Sequence, residues 1–360
     1  MRKIKYIFSF LVILGCARPF DPEIEVTEEQ PISIEAYLTD ELKNHTVLIQ
    51  QAKAIDAIGD FEAITNADVF VESNSGTIYD YRYIEDGLYQ SVDVFEGEIG
   101  TSYKIVISIG SSTYESEFEE MLPQADIGEM DALFGFEIVQ SETGETENEP
   151  KVDIFLDLTF SDEESFYRFD WNATYQANTP SQGSTFCFTD VNQDPPRVLE
   201  ILKTCYVSEV AEEFIKLASS EGFDAGSTNK VTVFTVDPNK RFQTKYSPEI
   251  TTYRITESAY NFWKTIENQT LNVGGLFDPP LSPITGNIQP VGPATDRVIG
   301  VFEVASTIRK REFFLNSIVG TRLRNYERDC DASDGLPIPF SCCECTFLAN
   351  SDDIRPDFWQ

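Results

Sequence analysis

The chain has 360 residues, of which 61 are acidic and 27 basic, giving a formal charge of −34; it carries seven cysteines and one histidine. A surface this acidic repels phosphate backbones and anionic headgroups, which excludes nucleic acid as a partner and excludes membrane binding through basic patches. Cations and basic partners stay open, and the length allows two domains.

The first 15 residues read as a leader. Arg2, Lys3 and Lys5 precede an apolar run, Ile7 to Leu14, that is too short to cross a hydrocarbon layer of about 30 Å as a helix. The run ends in Ile13-Leu14-Gly15-Cys16, which resembles the bacterial lipobox, whose cysteine is acylated and becomes the new N-terminus. The expectation is a signal peptide over 1–15, lipidation at Cys16 and a tether over 16–30. In the tether, Asp21, Glu23 and Glu25 favour hydration while Pro19 and Pro22 oppose helix. Acyl chains contribute about 0.8 kcal/mol per buried methylene, so two or three of them make a lasting anchor. The leader holds three of the 27 basic residues and no acidic one, so the chain from Cys16 onward carries 24 basic against 61 acidic residues, a formal −37.

From 31 to 123, short runs rich in β-branched and aromatic residues alternate with turn signals, the pattern of a β-sandwich. The runs are ISIEAYLT, HTVLIQQA, NADVFVESNSG, TIYDYRYIEDG, LYQSVDV, TSYKIVISIG and STYESEFEEML. Ala67, Val69 and Val71 alternate with Asp68, Phe70 and Glu72, as a half-buried strand requires. Ala67, Val69, Val71 and Gly76, then Asp86, Gly87 and Tyr89, then Gly100, Tyr103, Ile105 and Ile107 resemble the Ig-like, transthyretin-like or carboxypeptidase-regulatory-like sandwich. That resemblance implies a fold and no chemistry.

The region 124–360 reads as a larger β-rich domain with two short helices and disulfide-held loops. FGFEIVQ, KVDIFLDLTF and SFYRFDWNATYQA are strands, and the acidic stretch 141–150 between the first two is a solvated loop or hairpin tip. A polar loop over 179–196 contains Cys187. One helix is expected where Ser208 caps EVAEEFIKLASSEG, with Val210, Ala211, Phe214, Leu217 and Ala218 as its stripe and Gly222 as its end. A second is expected where Thr256 caps ESAYNFWKTIENQ, with Ala259, Phe262, Trp263 and Ile266 as its stripe. KVTVFTVD, RFQTKYS, RVIGVFEVAS and KREFFLN return to strand. The glycine- and proline-dense GGLFDPPLSPITGNIQPV should be a long surface connection, and Phe277, Asp278, Pro279, Gly286 and Asn287 in it are candidate binding or docking residues.

Apart from Cys16, an even number of cysteines remains, as an exported disulfide-bearing chain would have: Cys187, Cys205, Cys330, Cys342, Cys343 and Cys345. Cys187 with Cys205 is the favoured pair because they bracket one loop; Cys330 would then join Cys342, Cys343 or Cys345. Zinc is disfavoured, since vicinal and C-x-C spacing aims two sulfurs poorly at one ion. Asp329, Asp331 and Asp334 offer alternate oxygens to a hard cation such as calcium, but Asp334 and Phe340 stand where an EF-hand needs Gly and Glu. A chain without cofactor is expected, with calcium at this segment as the alternative.

Catalytic machinery is not apparent. His45 reads as a surface residue with no motif-placed nucleophile, and the sequence has no G-x-S-x-G, H-E-x-x-H or P-loop. Tyr260, Phe262 and Trp263; Phe277, Asp278 and Pro279; Gly286, Asn287 and Ile288; Gly300 and Phe302; Cys342 and Cys345; and Pro356 to Trp359 together resemble a Bacteroidetes lipoprotein family known as domain of unknown function 4249. The resemblance implies a lipid-anchored outer-membrane lipoprotein that assists a TonB-dependent barrel receptor by binding an unidentified ligand or docking on the barrel; the acidic residues soon after Cys16 resemble the surface-export signals of Bacteroidetes lipoproteins, so the cell exterior is the expected face and the periplasmic face its alternative. The expectation is therefore a non-enzyme. A carboxylate-based hydrolase of an extracellular polymer and an adhesin or envelope-structural module are its alternatives.

Overall fold

A computed structural model describes residues 30–53, 61–140, 146–160, 164–178, 204–211, 215–238, 240–271, 284–292, 297–319 and 345–360. Among the described residues no helix is long and apolar enough to cross a membrane. The architecture is mainly β, with one α-helix among the described residues.

The N-terminal sandwich opens with β1 (Ile32–Thr39), in which Ile32, Ile34, Ala36 and Leu38 face inward because alternate side chains of a strand share one face. β2 (Thr46–Ala52) and β3 (Phe61–Ala63) follow in antiparallel pairing. Then come β4 (Ala67–Ser73), β5 (Ile78–Glu85), β6 (Leu88–Ser91), β7 (Ser102–Ile109), β8 (Ser112–Ser116) and β9 (Glu119–Glu120). β5 turns the corner of the sandwich: Ile78–Asp80 pair with β4, and Tyr81–Glu85 pair with β6 in the other sheet. The β5–β6 hairpin turns on Asp86 and Gly87, at φ 46° and 83°, the two left-handed residues that a type I′ turn needs. Only glycine fits second, because a Cβ there would meet the carbonyl oxygen of Ile49. Tyr89 fills the core and ties the corner, its hydroxyl accepting from Ala67 N–H and donating to the Ile64 carbonyl.

The second sandwich packs a three-stranded sheet on a larger one. The small sheet consists of β10 (Asp126–Gln140), β11 (Thr146–Thr159) and, after three strands of the facing sheet, β15 (Thr228–Val236). The facing sheet is built on β12 (Phe166–Asn178), flanked on one side by β13 (Thr204–Val210) and β14 (Lys216–Ser219) and on the other by β16 (Lys245–Ile255). Val152, Ile154, Leu156 and Leu158 of β11 meet Tyr167, Phe169, Tyr175 and Tyr246 across the interior. Of the acidic 141–150 stretch the described part, Thr146–Pro150, is exposed although already in β11.

Three further strands follow the helix α1 (Glu257–Leu271): β17 (Ile288–Val291), β18 (Val298–Arg311) and β19 (Phe314–Leu315); a last one, β20 (Ser351–Asp352), lies in the C-terminal segment. β18 belongs to both sandwiches. Val298–Ala305 run parallel to β1, whereas Ser306–Arg311 pair antiparallel with β16. β17 pairs with β8, so the sandwich that the sequence bounds at 123 is completed by two strands from far beyond it.

Of the two expected helices, one is corrected and one is present. The Ser208-capped helix does not form: Thr204–Val210 and Lys216–Ser219 are strands. Cys205 and Val207 face inward with period two, and the open edge of β12 offers backbone partners that a short isolated helix lacks. Gly222 does adopt φ 83°, but in a turn after a strand rather than at a helix end. The Thr256-capped helix is present, with Ala259 and Phe262 buried against Ile255, Val301 and Ala305.

Candidate functional site

The densest polar chemistry lies under α1, where β1, β12, β16 and β18 present adjacent side chains. In an apolar run such as VIGVFEVAS, Glu303 is the residue out of place, and it is 2 % exposed. Arg168 of β12 engages it as a fork, Nη2 donating to Oε1 at 2.9 Å and Nε to Oε2 at 3.1 Å. Trp263 Nε1 of α1 donates to the same Oε2 at 2.7 Å, and Arg168 Nη1 donates to Asp170 Oδ1 at 2.9 Å. Tyr253 stacks under the guanidinium at 4.2 Å. Burial works against the charge of Arg168, but Glu303 and then Asp170 hold its pKa above the ordinary range.

Two tyrosines flank this ion pair. Tyr37 donates to Glu35 Oε2 at 3.2 Å, and burial first, then Glu35, raise its pKa above the usual phenol range. Tyr253 is pushed up to about 12 by burial and by Asp170. Both phenols therefore stay neutral and serve as hydrogen-bond donors. Sequence reading missed the cluster because its members are far apart in the chain; the single charged residue inside the β18 apolar run was the available signal.

A second polar junction lies beside the first and contains two of the sequence candidates. The Asn287 side chain behaves like a strand backbone: its Oδ1 accepts from Phe302 N–H at 2.8 Å and its Nδ2 donates to the Phe302 carbonyl at 2.9 Å. Nδ2 also reaches Glu119 Oε1 at 2.9 Å, which Ser258 Oγ meets at 2.6 Å. Gly286 passes so close to β18 that a Cβ would run into the carbonyl oxygen of Gly300. Gly286 and Asn287 thus join β9, α1 and β18 at the seam between the sandwiches. Phe277, Asp278 and Pro279 lie outside the described residues, as do Cys16, Cys187, Cys330, Cys342, Cys343 and the calcium candidates Asp329, Asp331 and Asp334. Among the described residues no group of three or more His, Cys, Asp or Glu side chains is arranged to hold a metal ion.

Two further expectations are corrected. Cys205 is bonded to Cys345, not to Cys187. The C-terminal segment returns alongside β13, with β20 pairing Asp352 to Tyr206 and Ser351 to Val207, and this brings the two cysteines to a Cα separation of 5.7 Å. The same return buries Trp359 between Tyr206 and Phe313, while Lys245 Nζ donates to the Gln360 carbonyl at 2.6 Å. His45 is not on the surface but 1 % exposed, with Nε2 at 3.0 Å from the Phe95 carbonyl and its ring edge-on to Phe95. Burial depresses its pKa to about 4, so the ring is neutral and donates to that carbonyl.

A family model described as a domain of unknown function, DUF4249, matches residues 17–311, from directly after Cys16 to the last residue of β18. No curated protein matches the chain.

Proposed function

The chain belongs to the DUF4249 family, and on that premise we propose that it is a lipid-anchored outer-membrane protein, facing the cell exterior, that binds and docks rather than catalyses. Its partner in this reading is a TonB-dependent barrel transporter, which it assists in taking up a ligand. The observation that carries the non-catalytic part is the engagement of Glu303: both of its oxygens already accept hydrogen bonds, from Arg168 and from Trp263. A two-carboxylate hydrolase needs one group able to protonate a leaving group and another able to attack or to activate water. Here Glu303 and Asp170 share one guanidinium, and Glu303 also holds Trp263 of α1 against the sheet.

The anchor rests on the leader and on Cys16, and the family match begins directly after that cysteine, at residue 17. Between Cys16 and the start of β1 at Ile32 the chain can reach at most about 55 Å, enough to hold the sandwiches clear of the headgroups yet within touch of a barrel rim. Affinity capture of the acylated protein from detergent-solubilised envelope tests the reading. Recovery of a TonB-dependent barrel in comparable amount is expected; a folded, acylated protein that brings down no barrel overturns it. Protease shaving of intact cells is expected to cut the protein, and full protection would place it on the periplasmic face instead.

A further inference from the structure

β10 forms one edge of the three-stranded sheet, pairing with β11 alone among the described strands. It is 15 residues long, well above the common strand length of about 5–6, and its sequence DIGEMDALFGFEIVQ holds neither lysine nor proline. Natural edge strands of this length are normally blunted by such residues, by bulges or by a cover. Here the irregularity is confined to the start, between Ile127 and Met130, where Lys310 Nζ also donates to the Gly128 carbonyl at 2.6 Å. β15 ends opposite Val152, so beyond Phe134 the hairpin projects as a two-stranded arm. On that arm and next to it, Leu133 is 61 %, Phe136 54 % and Ile138 71 % exposed.

The charge on the arm selects the partner. On the face away from the core, Asp131 and Glu137 of β10 lie across from Phe155 and Glu149 of β11, and Glu147 follows at the tip. The cations of this face, Lys151 and Lys230, are already paired, with Asp237 and Asp131 respectively, and Glu137 and Glu147 meet no cation among the described residues. A second copy of this chain fits poorly. Antiparallel pairing of two β10 edges about Phe134 would set Asp131 directly opposite Glu137 of the other copy, a like-charge cross-strand pair.

We propose that β10 is a docking edge for an extended segment of a partner protein in which lysine or arginine alternates with apolar residues, added to the sheet as a fourth strand. Backbone hydrogen bonds to the open edge would supply affinity; a partner cation opposite Glu137, and apolar side chains beside Phe136 and Ile138, would set register and sign. The proposal deepens the docking reading above and rests on it for the class of partner.

The test uses the full-length mature protein and a short labelled peptide alternating Lys and Ile, with a Glu and Ile peptide of equal length as control. Saturable binding of the basic peptide is expected, at least about tenfold tighter than the acidic one and weakening as salt rises from ~0.1 M to ~1 M. The triple variant Leu133→Lys, Glu137→Lys, Ile138→Lys, all at exposed positions, should lower affinity about tenfold or more with an unchanged melting temperature. No binding of the basic peptide, equal binding of both peptides or unchanged binding by the variant overturns the proposal. A concentration-dependent dimer that the variant abolishes would overturn it in favour of a second copy. Barrel capture by the variant at the wild-type level would sink this inference and leave the docking reading standing. Peptide binding without barrel capture would do the reverse.

Discussion

In the N-terminal sandwich the last places in the two sheets are taken by β17 and the first half of β18, held by backbone pairing and by close packing that admits no side chain at Gly286. In the second sandwich the comparable work on one edge falls to a covalent bond, Cys205 to Cys345, and to a tail whose Trp359 is buried. The first closure is a matter of fit and couples the two sandwiches, since β18 continues from one into the other. The second includes a disulfide between β13 and the C-terminal segment, neither cysteine of which lies in the shared strand. The difference predicts that the sandwiches unfold together through β18, with a separately removable staple on one side.

The sharpest way to break this comparison is Gly286→Ala. Its Cβ must displace the Gly300 backbone and with it the β1–β18 pairing, and we expect a loss beyond ~5 kcal/mol, measured by denaturant unfolding, that melts both sandwiches together. Retention of wild-type stability would show that the seam is soft. Cutting the staple with Cys205→Ser and Cys345→Ser should cost about 4–5 kcal/mol by the chain-entropy argument for a separation of 140 residues. Hydrogen exchange should then rise in β13 and β20 and stay unchanged in β1 and β2; equal loosening everywhere would erase the distinction between the two closures.

Removing one partner of the buried ion pair comes next. Glu303→Leu leaves the buried Arg168 with the exposed Asp170 as its remaining carboxylate partner, for which about 3–5 kcal/mol is expected, whereas the double variant Arg168→Met, Glu303→Leu should recover most of it in equilibrium unfolding. A double variant as unstable as the single one would assign the cost to packing of α1 rather than to charge. The smallest effect is the pH response of the first sandwich. His45 has a folded pKa of about 4, below its unfolded value of about 6.5. Its stabilising contribution is thus complete above about pH 6.5 and is lost as pH falls toward 4, by at most ~3 kcal/mol. His45→Gln, which can still donate to the Phe95 carbonyl, should flatten that part of the stability curve; an unchanged slope would remove His45 as its source.

Legibility followed the range of the interactions. The strands with strict alternation, such as Ile32 to Leu38 and Val152 to Leu158, are written in residues two apart, and the Asp86–Gly87 turn in residues side by side. The Thr256-capped helix was readable for the same reason. The stretch after Ser208 misled because its apolar spacing suits a helix in isolation, while the edge of β12, supplied by residues far upstream, decided for strand. His45 was misjudged because the aromatic wall that covers it comes from Phe95, fifty positions away.

By itself the sequence determined the β class, the alternation of the strands, the Thr256-capped helix and the strong acidity. Those features depend on neighbours along the chain, where periodicity and turn chemistry act directly. Only the tertiary structure decided that β18 serves two sandwiches, that Cys205 meets Cys345, that Gly286 and Asn287 lock a seam and that Glu303 is matched by Arg168. Each of those is a contact between segments far apart in sequence, chosen by which edges and buried charges remain unsatisfied once the local elements have formed.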